Sequence, residues 1–258
     1  MKVLLLFPLA ALVMALALPV PSKPLWTVEM RLSGASAANR SVTDALGLPG
    51  EVTLLGPGAL FRVAGVENSS TPGPDWIAEV REVADMPQVV RKLAAQGRVD
   101  DEGRFVVGEG EPWSFVAWQE SATTLRLASS PGVTAMALPD STPLKDGVWL
   151  AAWVDLSRMA PDAIRSTTLK LPRSLRVIAS DTTGGTAVEL GATLASEALA
   201  GQTEAVVKAL RSAIGGAEHP LPPVDVSVQG TEVTVALRLT DAEVRQVLAD
   251  FTASPAGK

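Results

Sequence analysis

The chain contains no cysteine, no tyrosine and a single histidine. Without cysteine there can be no disulfide, no thiol nucleophile and no thiolate zinc site. The one histidine, His219, sits in Gly215-Gly216-Ala217-Glu218-His219-Pro220-Leu221-Pro222-Pro223, a segment with linker composition. A histidine that binds metal or takes a proton is normally held rigid by a partner on its other ring nitrogen, which a solvated linker does not supply. Zinc sites of ordinary composition and Ser–His nucleophile systems are therefore excluded. Positive charge is also scarce, with 22 Lys+Arg against 28 Asp+Glu and a net charge of −6. No basic cluster stands out, so nucleic acid is not an expected partner, because its recognition depends on Lys and Arg neutralising phosphates.

Recognisable catalytic and nucleotide-binding motifs are missing too. There is no Gly-x-Gly-x-x-Gly, P-loop or Gly-x-Ser-x-Gly, and Ser166-Thr167-Thr168-Leu169-Lys170 has the wrong spacing for Ser-x-x-Lys. The densest acidic run, Asp100-Asp101-Glu102-Gly103, lacks the alternating ligand pattern of a calcium loop and reads as a solvated turn, as does Gly108-Glu109-Gly110-Glu111-Pro112. The expectation is no catalytic constellation, no metal and no cofactor. Carboxylates brought together from distant loops, as in a glycosidase, would leave no trace in one sequence.

What is present begins at the N-terminus. Met1-Lys2 supplies one charge, an apolar run follows from Val3, and Ala15-Leu16-Ala17 places small residues at both positions that a signal peptidase needs. Pro19, Pro21 and Pro24 then break any continuing helix. This predicts a signal peptide over 1–17 and a periplasmic or extracellular protein. The alternative is an uncleaved N-terminal membrane anchor, in which case the membrane becomes a partner. Lipid attachment through a cysteine is excluded.

Periodicity organises the rest. Val224, Val226 and Val228 alternate with Asp225, Ser227 and Gln229, and Val233, Val235, Leu237 and Leu239 alternate with polar neighbours, so the two runs predict an antiparallel hairpin turned at Gln229-Gly230-Thr231. Thr240-Asp241-Ala242-Glu243 is a capping box before Val244, Val247, Leu248 and Phe251, which predicts a closing helix. Upstream, Leu175–Ser180 and Thr186–Leu194 predict two strands around Asp181-Thr182-Thr183-Gly184-Gly185. Ser196 then caps a helix that ends at Gly215-Gly216. The same order recurs earlier, with strands at Leu60–Val66 and Trp76–Val83, a helix starting at Asp85 and stopping at Gly97, and strands at Arg104–Val107, Trp113–Glu120, Thr124–Ala128 and Val133–Leu138. Trp76-Ile77-Ala78-Glu79-Val80 is similar to Thr186-Ala187-Val188-Glu189-Leu190, and Gln88–Leu93 to Ala205–Leu210, at similar but unequal offsets.

The expected fold class is α+β, an antiparallel sheet with helices packed on one face, built from two duplicated β-β-α-β-β units. Helices are too sparse for a parallel sheet, where each crossover needs its own. The expected segments are 18–58 as a strand (Leu25–Leu32) plus irregular connection, 59–140 as the first unit with extra strands, 147–251 as the second unit, and 252–258 as a frayed tail.

Six tryptophans are present, and Trp149 and Trp153 stand out in Gly147–Ser157, GVWLAAWVDLS. Strict alternation puts Trp149, Ala151, Trp153 and Asp155 on one face and Val148, Leu150, Ala152, Val154 and Leu156 on the other, the pattern of a central strand covered twice. The competing reading makes Trp149, Trp153 and Asp155 a ligand-binding stripe. From Gly147 through the closing helix the chain resembles a loose class of uncharacterised exported and periplasmic bacterial α+β proteins, with a strand ending in Val154-Asp155-Leu156, two strands, an Ala-rich helix, a Gly-turned hairpin and a short last helix. The resemblance implies an envelope or periplasmic protein and carries no catalytic residues.

Three functions follow in order. The first is a non-enzymatic envelope protein acting in protein interaction or structure, its partner an envelope protein or glycan. The second is a periplasmic small-molecule or glycan-binding module with a tryptophan-lined cleft, and the third is a carboxylate-dependent hydrolase. The signal-peptide reading is checked by intact-mass analysis of the protein recovered from its own cell envelope. The expected mature chain starts at Leu18, and a mass that retains Met1–Ala17 selects the anchored alternative.

Overall fold

The structure, a computed structural model, describes residues 25–31, 55–56, 58–66, 75–109, 114–134, 138, 144–159, 172–214 and 224–244. The N-terminal run, His219, Trp113 and the body of the closing helix lie outside the described residues. The chain divides into two compact units, one holding the described elements of Leu16–Leu144 and the other those of Lys145–Lys258.

In the N-terminal unit, β1 (Trp26–Arg31), β2 (Leu60–Val66), β3 (Asp75–Arg81), β4 (Gly97–Val99), β5 (Phe105–Val107), β6 (Phe115–Gln119) and β7 (Leu125–Ala128) pair in the order β1-β2-β3-β7-β6-β5-β4. Every neighbouring pair is antiparallel. Between β3 and β4 lies α1 (Met86–Gln96). Asp85 starts it, its carboxylate accepting the Gln88 N–H at 3.0 Å, and Pro87 sits in the first turn where no amide donor is needed. Its apolar stripe, Met86, Val89 and Leu93, is buried at helical spacing.

The C-terminal unit contains β8 (Val148–Asp155), a one-turn helix α2 (Leu156–Met159), β9 (Ser174–Thr182), β10 (Gly185–Thr193), α3 (Glu197–Ile214), β11 (Val224–Gln229) and β12 (Glu232–Thr240). Its strand order is β8-β9-β10-β12-β11, again antiparallel throughout. The two hairpins close on Thr183-Gly184 and Gly230-Thr231, with Gly184 at φ +84 and Gly230 at φ +60, backbone angles that glycine adopts without strain. Ser196 Oγ accepts the Leu199 N–H at 3.4 Å at the start of α3. The helix then packs Leu199 and Ala200 onto Leu194, Val226, Val228 and Val233. At Thr240 the capping box is complete: Glu243 Oε2 accepts the Thr240 N–H at 2.7 Å, and Thr240 Oγ1 accepts the Glu243 N–H at 3.3 Å. The chain turns helical over 241–244 with Val244 buried.

Three expectations are corrected. Val133–Leu138 does not begin as a strand, because Pro131–Val133 is a 3-10 turn that drives Val133 into the core beside Ala64, Ile77 and Ala128. β4, three residues long, continues directly from α1 and was not expected. The uniform alternation expected for Val148–Leu156 fails at both ends. A β-bulge between Val148 and Leu150 leaves Trp149 as the extra residue, and Leu156 starts α2 instead of ending the strand. Among the described residues, no helix is long and apolar enough to cross a membrane.

One contact between strands is unusually close. Trp26 lies directly opposite Gly65, and its indole covers the glycine so tightly that a Cβ there would overlap Nε1, Cε2 and Cδ1. Trp26 is 1% exposed, and neighbouring Leu25 and Met30 are also buried, so the ring has no room to step aside. Gly65→Ala is therefore expected to destabilise the N-terminal unit by about 1–3 kcal/mol through overpacking. Urea unfolding followed by tryptophan fluorescence checks this, and an unchanged midpoint counts against the contact.

Candidate functional site

The structure separates the three residues singled out in GVWLAAWVDLS. Trp149, displaced by the bulge, is 4% exposed, and its indole Nε1 has no hydrogen-bond partner. Trp153 and Asp155 stay in register, opposite Arg176 and Ser174, and both are half-buried. Asp155 Oδ1 accepts from Ser157 Oγ at 2.6 Å and from the Arg158 N–H at 3.3 Å, so the acid caps α2. Trp153 and Asp155 thus share the sheet face that carries Arg176, while Trp149 fills the interior.

That face can be followed through the strand register, since directly paired residues project to the same side. One row runs Trp153, Arg176, Gly191, Thr234, Ser227, and the next runs Ala151, Ile178, Glu189, Ala236, Asp225. Arg176 lies across Gly191, where its Nη2 donates to Glu189 Oε1 at 2.8 Å and to Glu232 Oε1 at 3.0 Å. Asp225, Ser227, Gln229 and Arg238 on this side are exposed, whereas the opposite side of β8 and β12 buries Leu150, Ala152, Val154, Val233, Leu237 and Leu239. The C-terminal sheet is apolar on one side and open, small-residued and polar on the other.

The N-terminal sheet buries a row of charges. Glu29 pairs opposite Arg62, Arg62 opposite Glu79, and Glu79 opposite Arg126, so four adjacent strands each place one charged residue in the same line, with signs alternating. Arg62 Nε donates to Glu29 Oε1 at 2.6 Å, Arg62 Nη1 lies 3.6 Å from Glu79 Oε1, and Arg126 Nη2 lies 3.0 Å from Glu79 Oε2. At the rim, Arg81 Nε contacts Glu79 Oε1 and Arg126 Nε donates to Glu120 Oε2 at 3.0 Å. Glu79 is 2% exposed, and its Oε1 has ion-pair neighbours but no well-directed hydrogen bond. Both buried carboxylates face guanidinium groups, which are hydrogen-bond donors only. The arrangement is suited to holding strands together.

A cleft of about 580 Å³ opens elsewhere in the same unit, lined by Glu102, Arg104, Phe105, Trp118, Gln119 and Thr134. It is built on the turn between β4 and β5. Asp100 Oδ1 accepts the N–H groups of Glu102 at 3.0 Å and Arg104 at 2.8 Å, while its Oδ2 accepts from Arg104 Nε at 2.8 Å. The backbone bond from Arg104 is the main reason the Asp100 carboxyl is held below its ordinary value, with the Arg104 side chain and the Glu102 amide adding to it and desolvation opposing. Arg104 Nη1 continues to Thr134 Oγ1 at 2.9 Å and Glu102 Oε2 at 2.7 Å. The acidic run read as a solvated turn is therefore the anchor of an arginine that lines a cleft. Nearby, Arg98 and Glu109 form an exposed bidentate pair at 2.6 and 2.8 Å; their mutual hydrogen bond raises the Arg98 pKa and lowers that of Glu109. Among the described residues no cluster of His, Asp or Glu has the arrangement to hold a metal ion.

Sequence reasoning missed both the charged row and the cleft. A signal for the row existed, namely one charged residue inside each of four largely apolar strand stretches, WTVEM, LFRVAGV, WIAEV and LRLA. The cleft left no such trace, since its walls come from α1, the β4–β5 turn, β6 and the 3-10 turn.

Removing the central charge tests the row. Glu79→Gln keeps the shape but removes the buried charge that Arg62 and Arg126 share, leaving Arg62 with Glu29 and Arg126 with Glu120, and it is expected to cost about 3–5 kcal/mol. Glu120→Gln, at the exposed end, is expected to cost no more than about 1 kcal/mol. Denaturant unfolding of both variants checks the contrast, and equal small losses would show that the row contributes little.

No family model matches the sequence, and no curated protein matches it. Among solved structures the chain is similar to TP0453, in crystal form III at TM-score 0.55 and 7% identity, covering 90% of this chain and 96% of that one. Crystal forms I and IV of TP0453 give TM-scores of 0.53 at 7% and 6% identity, with 90% of this chain covered in each case. At such identity the likeness shows the fold alone: a mostly antiparallel sheet with helices, of the α+β class.

Proposed function

We propose that this chain is an exported, non-enzymatic envelope or periplasmic protein that works by docking a partner protein on the open face of its C-terminal sheet. The single observation that carries this reading is the one-sidedness of that sheet. Its apolar side is packed, with α3 over β11 and β12, while its other side presents Ala151, Ala187, Thr234, Ala236 and Ser227 as a low surface. Out of it rise Trp153 and Arg176, the residue types that most often anchor protein interfaces. Small side chains let a partner approach the strands closely, and Glu189 and Glu232 hold Arg176 in place beforehand. The apolar run before Ala15-Leu16-Ala17 supports export.

The two units fit a duplicated β-β-α-β-β unit, with an extra pair of strands in the first. In each, a hairpin is followed by a helix, and the last strand returns beside the hairpin's second strand, β7 on β3 and β12 on β10. The similar stretches Trp76–Val80 and Thr186–Leu190 fall on β3 and β10, and each hairpin carries an Arg on its first strand and a Glu ion-paired to it on its second.

Site-specific photo-crosslinking in the native cell envelope tests the docking face. A photoreactive residue at Ser227 or Ala236 is expected to yield one discrete protein adduct that Trp153→Ala reduces by about tenfold, while the same probe at exposed Lys92 on α1 yields none. No adduct from the face, or an identical adduct from Lys92, overturns the reading.

A further inference from the structure

We propose that the cleft beside Trp118 in the N-terminal unit is a binding site for a neutral saccharide. The site lies in a different unit from the docking face and stands whether or not that face has a partner.

The ligand class follows from which groups of the lining residues remain unused. Arg104 spends Nε on Asp100 and Nη1 on Thr134 and Glu102, leaving Nη2 without a protein partner among the described residues. Gln119 donates Nε2 to Ser121 O at 2.9 Å, which leaves its amide oxygen as an acceptor. Glu102 uses Oε2 on Arg104 and keeps Oε1. Thr134 is satisfied on both sides, accepting from Arg104 and donating to Pro131 O at 2.8 Å. The free groups are thus donors on Arg104 Nη2 and the Trp118 indole and acceptors on Gln119 and Glu102, all on residues that line a single cleft.

A phosphate anion, whose P–OH can donate as well as accept, would meet a guanidinium already balanced by Asp100 and Glu102 and would sit beside the free Glu102 oxygen as a like charge. A diamine can only donate and would leave Arg104 Nη2 facing a like charge. A hydroxyl does both, so a polyol satisfies the set. Trp118 narrows the choice from a polyol to a ring. It is half-buried and packed on the Ala64, Ile77, Ala128 and Val133 cluster, and it supplies an apolar wall of the cleft. A pyranose has an apolar C–H face and an equatorial rim of hydroxyls, and therefore fits a wall of that kind beside planar polar side chains. The volume falls within the range of small-molecule sites, roughly 300–1,000 Å³. Preorganisation is already present, because the side chain of Arg104 is 14% exposed and tied at two nitrogens, so little rotamer freedom is lost on binding.

The test uses the full chain and isothermal titration calorimetry, with tri-N-acetylchitotriose, cellotriose and maltotriose as saccharide probes and inorganic phosphate and putrescine as the anion and diamine arms, each to about 10 mM. The expected result is binding of at least one trisaccharide, weakened by about tenfold or more in Trp118→Ala and in Glu102→Gln. Glu102 is 70% exposed, so Glu102→Gln is expected to fold even if Trp118→Ala does not. The proposal is overturned if no trisaccharide binds, if phosphate or putrescine binds in their place, or if a trisaccharide binds Glu102→Gln as tightly as the unaltered chain.

Discussion

Four charges in a line across β1, β2, β3 and β7 govern how the N-terminal sheet is assembled. A β-ladder can slip by one residue or by two. A one-residue slip exchanges the faces of a strand and is resisted by any amphipathic sheet. A two-residue slip keeps the faces and is usually far cheaper. Here it is not, because moving any of these strands by two would separate Glu29 from Arg62, or Glu79 from Arg62 and Arg126, and leave buried charges without partners. Ion pairs of this kind add little net stability over an apolar core of the same shape, but their loss is severe, and that asymmetry is what makes them a register lock.

The other contacts of the unit depend on that register. Trp26 meets Gly65 only in this alignment, and the close-packed row of Ala64, Ile77 and Ala128 beneath Val133 is the neighbouring line of the same ladder. The β3–β7 alignment brings Asp75 to Ser129, whose hydroxyl donates to the carboxylate at 2.9 Å and accepts the Trp76 N–H at 3.0 Å. β6 follows β7, and it places Trp118 opposite Arg126 at one wall of the cleft.

The C-terminal unit reaches a defined register by other means. Its strands are long, its hairpins close on two-residue turns, and its arginine, Arg176, stays part-exposed between two glutamates. Tight turns set the pairing locally, so no buried charge is required, and one side of the sheet can be left open. The exposed face and the cleft are therefore products of two different ways of holding an antiparallel sheet in place.

Much of the local structure could be read directly from the residues. The hairpin at Gly230, the capping box at Thr240, the Asp85 and Ser196 caps and most strand positions are set by side chains within a few residues of one another, where period-two alternation and capping chemistry act. The bulge at Trp149 was not legible, because an extra residue in a ladder is visible only against its partner strand, and its effect was to move Trp149 out of the stripe that alternation drew. The pairing that joins the charges into one row, and the cleft, were out of reach for the same reason. Alternation in Leu60–Val66 places Arg62 on a face, but nothing in that segment says that Glu29 and Glu79 stand beside it, from residues 33 positions upstream and a separate hairpin strand. By itself the sequence determined most of the strands and helices and the caps and turns that start them. The tertiary structure decided which of them are neighbours, since pairing register is a relation between segments and is settled by the cost of leaving buried charge unmatched.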